Sequence, residues 1–84
     1  MTNGPKTKRA ELAHRLRCAA ADAGMTAPSL ARKLNISQGA AYNYLSGKQV
    51  PSPLRLRQMQ AVFGWDDSAR LESFDLLAMA KGEK

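Results

Sequence analysis

The chain has 84 residues, of which 44% are hydrophobic and 24% charged, and its formal net charge is +6. This length fits one small domain, and a single cysteine, Cys18, excludes an internal disulfide framework and a zinc site built on several thiolates. No apolar run reaches the roughly 18 residues that span a bilayer, and the N-terminus lacks the apolar core of a signal peptide, so a cytoplasmic protein without membrane contact is expected.

The first predicted helix begins at Thr7 and ends at Gly24, a residue that accepts the left-handed backbone of a helix end. Residues 1–6, MTNGPK, precede it as a predicted flexible arm. The apolar residues of this helix recur at helical spacing, which predicts one inward stripe: Leu12, Leu16, Ala19, Ala20 and Ala23.

The second and third helices are predicted to follow each other closely. Thr26 can cap the second helix and Asn35 can end it. Ser37 then caps the third helix, which runs from Gln38 to about Ser46 before Gly47. The inward side chains of the second helix are Leu30, Ala31 and Leu34, and the apolar Ile36 lies between the two helices.

A fourth helix starts with Ser52 as its cap and Pro53 at its first position, which proline favours, and it ends at Gly64. Its predicted inward residues are Leu56, Met59, Val62 and Phe63. The fifth helix is predicted over residues 66–82, with Leu71, Phe74, Leu77 and Ala78 on its inner face. No strand-like alternation occurs, so the predicted class is all-α, with a domain over residues 7–80 and a tail over residues 81–84.

Charge is distributed unevenly along the chain. Residues 1–57 contain ten Lys and Arg against two acids, whereas residues 58–84 contain three against five. No Asp or Glu occurs between Ala23 and Trp65. A polyanion can therefore approach this middle segment without meeting a fixed negative charge, which favours nucleic acid as the partner.

The third helix, in the stretch SQGAAYNYLSGK, has an unusual composition: it is small, polar and uncharged until Lys48. Two short helices separated only by Asn35 and Ile36 fit the helix-turn-helix arrangement, whose second helix reads the DNA major groove. When Ala41, Tyr44 and Leu45 are placed inward, the outward side holds hydrogen-bonding side chains suited to base edges, because Gln and Asn pair bidentately with adenine.

Residues 16–65 resemble the lambda-repressor-like (Cro/C1-type) helix-turn-helix domain. The resemblance rests on several short matches in the family's order: Ala23–Gly24–Met25, Leu30–Ala31, Ile36–Ser37, Gly47–Lys48 and Phe63–Gly64–Trp65. It implies a compact five-helix domain whose helix-turn-helix covers about residues 27–46. It also implies a homodimer that binds double-stranded DNA with its third helix in the major groove.

The same resemblance assigns roles to single residues. The expected base contacts are Gln38, Gly39, Tyr42 and Asn43. The expected backbone contacts, at helix starts, the end of the third helix and the fourth helix, are Thr26, Ser37, Ser46, Lys48 and Arg55. Two departures stand out: Ala27 replaces a common phosphate-binding glutamine, and the apolar pair Ala20 and Leu45 replaces a buried Arg–Glu pair, which implies simple packing between the first and third helices.

Four apolar residues near the C-terminus have two alternative roles, closing the core or forming the dimer interface: Trp65, Leu71, Phe74 and Leu77. Arg15 and Arg17 are predicted to be ordinary surface charges. His14 and Cys18 are spaced as metal ligands on one helical face, but they have no further His or Cys as partners. No catalytic constellation, cofactor site or small-molecule site is evident, so an enzyme is not expected.

The sequence therefore predicts a DNA-binding transcriptional regulator of bacterial or phage type, a repressor that binds a palindromic operator as a dimer. Two alternatives remain open at this point. The chain could be an antitoxin-type interaction protein that binds a protein toxin, or it could be the DNA-binding half of a longer repressor.

Overall fold

The computed structural model describes residues 7–82, which form five α-helices and contain no strand. They are α1 (Lys8–Asp22), α2 (Ala27–Leu34), α3 (Gln38–Ser46), α4 (Pro53–Phe63) and α5 (Asp67–Gly82). The predicted all-α class and helix order are confirmed. The predicted arm over residues 1–6 and the last two residues of the predicted tail lie outside the described residues, whereas Lys81 and Gly82 belong to α5.

Short polar residues set the helix boundaries. The first four helices are each preceded by a Ser or Thr whose hydroxyl accepts a hydrogen bond from a backbone N–H three residues later; these residues are Thr7, Thr26, Ser37 and Ser52. Asn35 and Gly47 end α2 and α3 in the left-handed conformation, with φ of 58° and 86°. Each cap satisfies a backbone group that the helix itself leaves unpaired.

One apolar cluster holds all five helices together. Its buried members are Leu12, Leu16, Leu30, Ala31, Leu34, Ala41, Tyr44, Leu56, Met59, Leu76 and Leu77. Helix α1 packs against both α3 and α5, while α2 packs against α3 and α4. Helix α3 thus packs against α1 and α2 on one side, and its opposite side faces solvent.

The inner face predicted for α5 is partly wrong. Leu71 and Ala78 are exposed, and the buried residues are Ser73, Leu76, Leu77 and Ala80. These four recur at i, i+3, i+4 and i+7, a regular helical stripe. The sequence pattern concealed this stripe because a serine stands at its first position.

Ser73 is buried because α4 supplies its hydrogen-bond partner. Gln60, only 1% exposed, donates from Nε2 to Ser73 Oγ at 2.7 Å, and Ser73 Oγ donates to the carbonyl of Arg70 at 2.8 Å. Burying a polar group is tolerated when it is hydrogen-bonded. The contact between α4 and α5 is therefore partly polar.

The stripe predicted for α1 also needs correction. Ala13 is buried, whereas Ala23 lies beyond the last helical residue and is exposed. None of the helices within residues 7–82 combines the length and apolar character needed to cross a membrane.

Candidate nucleic-acid interface

The connection between α2 and α3 consists of Asn35, Ile36 and Ser37. Ile36 packs against the core, and its N–H donates to the carbonyl of Ala31 at 3.0 Å. A turn this short, closed by a backbone hydrogen bond and an apolar contact, leaves α3 little freedom relative to α2. The geometry is that of a helix-turn-helix.

Helix α3 has two distinct faces. Ala41 and Tyr44 are buried and Leu45 packs against the core from a partly buried position. The residues predicted to face outward are Gln38, Gly39, Tyr42, Asn43 and Ser46; all are exposed except Asn43, which is half-buried. They occupy an arc of about 140° around the helix axis. The predicted orientation of α3 is therefore observed, while contact with bases stays a prediction.

Packing within the protein does not require a glycine at position 39. A Cβ built on Gly39 would have only Ser37 Oγ near it, at 4.0 Å, which is an ordinary van der Waals contact, so a methyl group fits. Glycine also lowers the stability of a helix relative to alanine. Gly39 therefore lowers the stability of α3, and no contact among residues 7–82 explains why a glycine occupies this exposed position.

The residues predicted to contact the DNA backbone surround the ends of α2 and α3. Thr26 and Ser37 cap these helices, with their hydroxyls 3.4 Å and 3.0 Å from the N–H groups of Ser29 and Ala40. Lys48 is exposed just after the end of α3. In α3 the first two N–H groups remain available for an anion, whereas α2 offers only one, because Pro28 has no N–H and the N–H of Ser29 is bonded to Thr26.

Two further predicted backbone contacts have partners inside the protein. Arg55 donates from Nη1 to Gln58 Oε1 at 2.9 Å and to the carbonyl of Leu34 at 3.5 Å, so part of its guanidinium stabilises the end of α2. Ser46 Oγ donates to the carbonyl of Asn43 at 3.3 Å. Both side chains can still bind a phosphate, but each also donates a hydrogen bond to an acceptor within the protein.

Arg17 is not an ordinary surface charge, contrary to the sequence prediction. Its Nη1 donates to the carbonyl of Leu45 in the last turn of α3, at 2.6 Å. The acceptor is a backbone atom 28 positions away, so periodicity along α1 cannot reveal it. One signal was available in the sequence: the last turn of α3 contains no basic residue of its own.

The four candidate interface residues near the C-terminus differ in how deeply the structure buries them. Leu77 is 3% exposed and belongs to the core, so it cannot line an interface. Trp65 and Phe74 are partly buried against the same core, and Trp65 lies beside Phe63 with a ring-centroid distance of 5.7 Å. Leu71 alone among the four is exposed, at 66%.

A groove of about 420 Å³ lies next to Leu71, between α4 and α5. It is lined by Arg57, Gln60, Asp67, Arg70, Leu71 and Phe74. The Oε1 atom of Gln60 is buried and has no hydrogen-bond partner among residues 7–82. An unpartnered buried acceptor is uncommon in native proteins, and here its side chain lines a groove bordered by both charged and apolar residues.

The charges of the folded domain follow the division seen in the sequence. No acidic residue occurs from α2 through α4, whereas α5 and its cap carry Asp66, Asp67, Glu72 and Asp75. Asp67 forms an ion pair with Arg70, and Glu72 forms one with Arg15 of α1 at 3.5 Å. Apart from Glu11 and Asp22 of α1, the acidic residues among residues 7–82 therefore lie on α5 and its cap, outside the helix-turn-helix.

The pair His14 and Cys18 lies on the exposed side of α1, with Cys18 Sγ 3.6 Å from His14 Nε2. Residues 7–82 contain no group of three or more His, Cys, Asp or Glu placed to hold a metal ion.

Among the comparisons with known proteins, the one with family models gives a match, and that match agrees with this geometry. No curated protein and no solved structure matches the chain significantly. The family model described as a helix-turn-helix domain matches residues 11–72, which run from α1 into α5 and include the whole of α2 and α3. This match is in line with the predicted resemblance to lambda-repressor-like domains. The chain belongs to the helix-turn-helix domain family.

Proposed function

We propose that the protein is a sequence-specific transcriptional regulator that inserts α3 into the DNA major groove and binds a two-fold-symmetric operator as a homodimer. The observation that carries the proposal is the exposed polar face of α3, supported from behind by α1 and α2. By occupying its operator, such a dimer excludes other proteins from the same DNA, so its simplest regulatory effect is repression.

The chemistry of the α3 face suits base reading. The amide groups of Gln38 and Asn43 can each donate to N7 or O6 acceptors and accept from exocyclic amines in the groove. Tyr42, 57% exposed, offers a hydroxyl and a ring edge to sugars or to a thymine methyl. Each well-formed bidentate pair discriminates against a wrong base by about 1–3 kcal/mol.

Affinity comes from the DNA backbone. The first two N–H groups of α3, next to Ser37, and a single N–H of α2, next to Thr26, form neutral anion sites, and Lys48 adds a charge beyond the end of α3. Ser46 and Arg55 supply further donors. Since each neutralised phosphate releases counterions, binding should weaken steeply as the salt concentration rises.

The surface around Leu71 is the proposed homodimer interface. A second copy placed there covers an exposed leucine and closes the groove that borders the unpartnered Gln60 Oε1. The described domain measures 33 × 25 × 25 Å. Two such domains related by a two-fold axis can place their α3 helices about 34–36 Å apart, one turn of DNA.

The first test is selection of bound sequences from a random DNA pool at two salt concentrations. A symmetric motif with half-sites about one turn apart is expected. Asn43→Ala should relax the preference at particular base pairs, because the lost amide contacts base edges. Lys48→Ala should weaken binding to all sequences about equally and lower the salt slope by about 0.9, because a phosphate contact carries no sequence information.

Two outcomes would contradict the proposal. An unchanged motif with Asn43→Ala would mean that α3 is not the reading element. Binding without any motif, with a steep salt dependence, would mean that charge alone attracts DNA. An antitoxin-type protein whose main partner is another protein would then be the better account, and purification of a bound partner would be the next step.

Gly39→Ala tests the same face with opposite effects on stability and binding. Since the protein has room for the methyl group, the variant should be more stable by about 0.5–1 kcal/mol. If the backbone at Gly39 approaches the base edges closely, the same methyl group should lower affinity for the selected motif at least several-fold. Urea unfolding and DNA titration measure the two effects separately, and a variant that gains stability without losing affinity would remove Gly39 from the interface.

A further inference from the structure

We infer that Arg17 is a positioning residue that sets the orientation of α3, and with it the accuracy of base reading; the inference rests on the proposed function. Arg17 Nη1 donates to the carbonyl of Leu45 at 2.6 Å. This distance is short, as expected for a charged donor. The bond joins α1 directly to the last turn of α3.

Helix α3 needs support from outside because its own sequence stabilises it poorly. It has nine residues, one of them glycine, and no basic residue in its last turn. A helix shorter than about 12–15 residues is marginal on its own. A cation near the C-terminal carbonyls interacts favourably with the helix dipole, and here that cation comes from α1.

A second contact lies one turn earlier on the same face of α1. A Cβ built on Gly47, the residue that ends α3, would lie 3.3 Å from Ala13 Cβ, so the methyl group of Ala13 lies close to the backbone of Gly47. Ala13 and Arg17 are four residues apart and therefore neighbours on α1. One apolar and one polar contact, at successive turns, fix both the distance and the tilt of the end of α3.

The position of α3 matters more for specificity than for general affinity. Bidentate base contacts depend on the angle of the reading side chains, whereas phosphate attraction tolerates small rotations. Loosening the end of α3 should therefore lower binding to the selected motif more than binding to unrelated DNA.

Arg17→Met in the full chain removes the donor and keeps much of the aliphatic stem. The matched control is Arg15→Met, which removes the same charge from the opposite side of α1, where Arg15 pairs with Glu72 of α5. Relative to this control, Arg17→Met should lower affinity for the motif about three- to ten-fold, the range for a charge-assisted hydrogen bond at an exposed site. The salt slope should be the same in both variants.

A second measurement needs no DNA. The N–H groups of Gly47 and Gln49 both donate to the carbonyl of Asn43, at 3.1 Å and 3.2 Å, and report on the end of α3. Their amide hydrogens should exchange several-fold faster in Arg17→Met than in Arg15→Met. Arg17→Lys, which restores a charged donor, should recover part of the protection and part of the affinity.

Three results would overturn the inference. A salt slope lower by about 0.9 in Arg17→Met alone would identify Arg17 as a direct phosphate contact. Unchanged exchange at Gly47 and Gln49 would show that Arg17 does not hold α3, and equal loss of motif and unrelated binding would show that it does not affect reading. If the wild-type chain selected no motif, the proposed function would fail, while the exchange measurement would still decide whether Arg17 holds the helix.

Discussion

Leu71→Asp should convert the proposed homodimer into a monomer and lower its affinity for the full proposed operator by at least about 100-fold, while each half-site is still bound weakly. Two domains linked by dimerisation bind the second half-site almost intramolecularly, which raises avidity by about 10²–10⁴. An aspartate near a two-fold axis places a charge in an apolar contact and, when it faces its own copy, sets two like charges together. Sedimentation velocity and titration of full and half operators measure the two effects.

Leu54→Asp is the matched control for this change. Leu54 is 68% exposed and Leu71 is 66% exposed, so the two leucines are almost equally accessible to solvent and differ mainly in where they lie on the surface. Leu54 lies in the first turn of α4, outside the proposed interface, and its replacement should leave the dimer intact. A Leu71→Asp variant that still dimerises would move the interface to another surface, and dissociation by both variants would extend it to the first turn of α4.

Leu16→Ala should have the largest effect on folding, a loss of about 2–5 kcal/mol in the free energy of unfolding. Leu16 is fully buried on α1, the helix that packs against both α3 and α5. The substitution removes apolar contacts and leaves a cavity that the surrounding helices fill only in part. Since small domains are stable by only about 5–15 kcal/mol, this variant should unfold at much lower urea concentrations.

Leu54→Ala separates the effect of burial from the effect of residue type. The same substitution at an exposed position should change the free energy of unfolding by less than about 0.5 kcal/mol. A loss below about 1 kcal/mol for Leu16→Ala would contradict the central position of α1 in the core.

The helix boundaries could be predicted because their causes are local. Ser37 precedes α3 and Gly47 ends it through interactions that span three or four residues. A serine cap or a left-handed glycine is visible in the sequence before any tertiary contact is known. The inward face of α3 was predictable for the same reason, since Ala41, Tyr44 and Leu45 follow the helical period.

What could not be predicted depends on contacts between distant segments. Ser73 counts as polar in any sequence pattern, and only its bond to Gln60 of α4 explains its burial. The exposed position of Leu71 follows from the same shift of the α5 stripe. Arg17 was misassigned because its acceptor is a backbone carbonyl 28 positions away, and the only sequence signal for it is the lack of a basic residue in the last turn of α3.

The candidate base contacts form an intermediate case. The sequence predicts which α3 residues face outward, and the structure agrees. Which of Gln38, Tyr42 and Asn43 reads which base depends on how deeply and at what angle α3 enters the groove. That angle is decided by the DNA and by the spacing of the two copies together.

The buried bond between Gln60 and Ser73 has a consequence for how operators can diverge. It fixes the register of α5 on α4, since sliding α5 by one turn would break the hydrogen bonds that the buried amide of Gln60 donates to Ser73 and to the carbonyl of Arg70. On the proposed dimer, that register determines how far apart the two copies of α3 lie. In the proposed complex, half-site spacing and base preference are therefore encoded in different segments of the chain. Substitutions on the exposed face of α3 can then change the recognised bases without changing the spacing of the two half-sites.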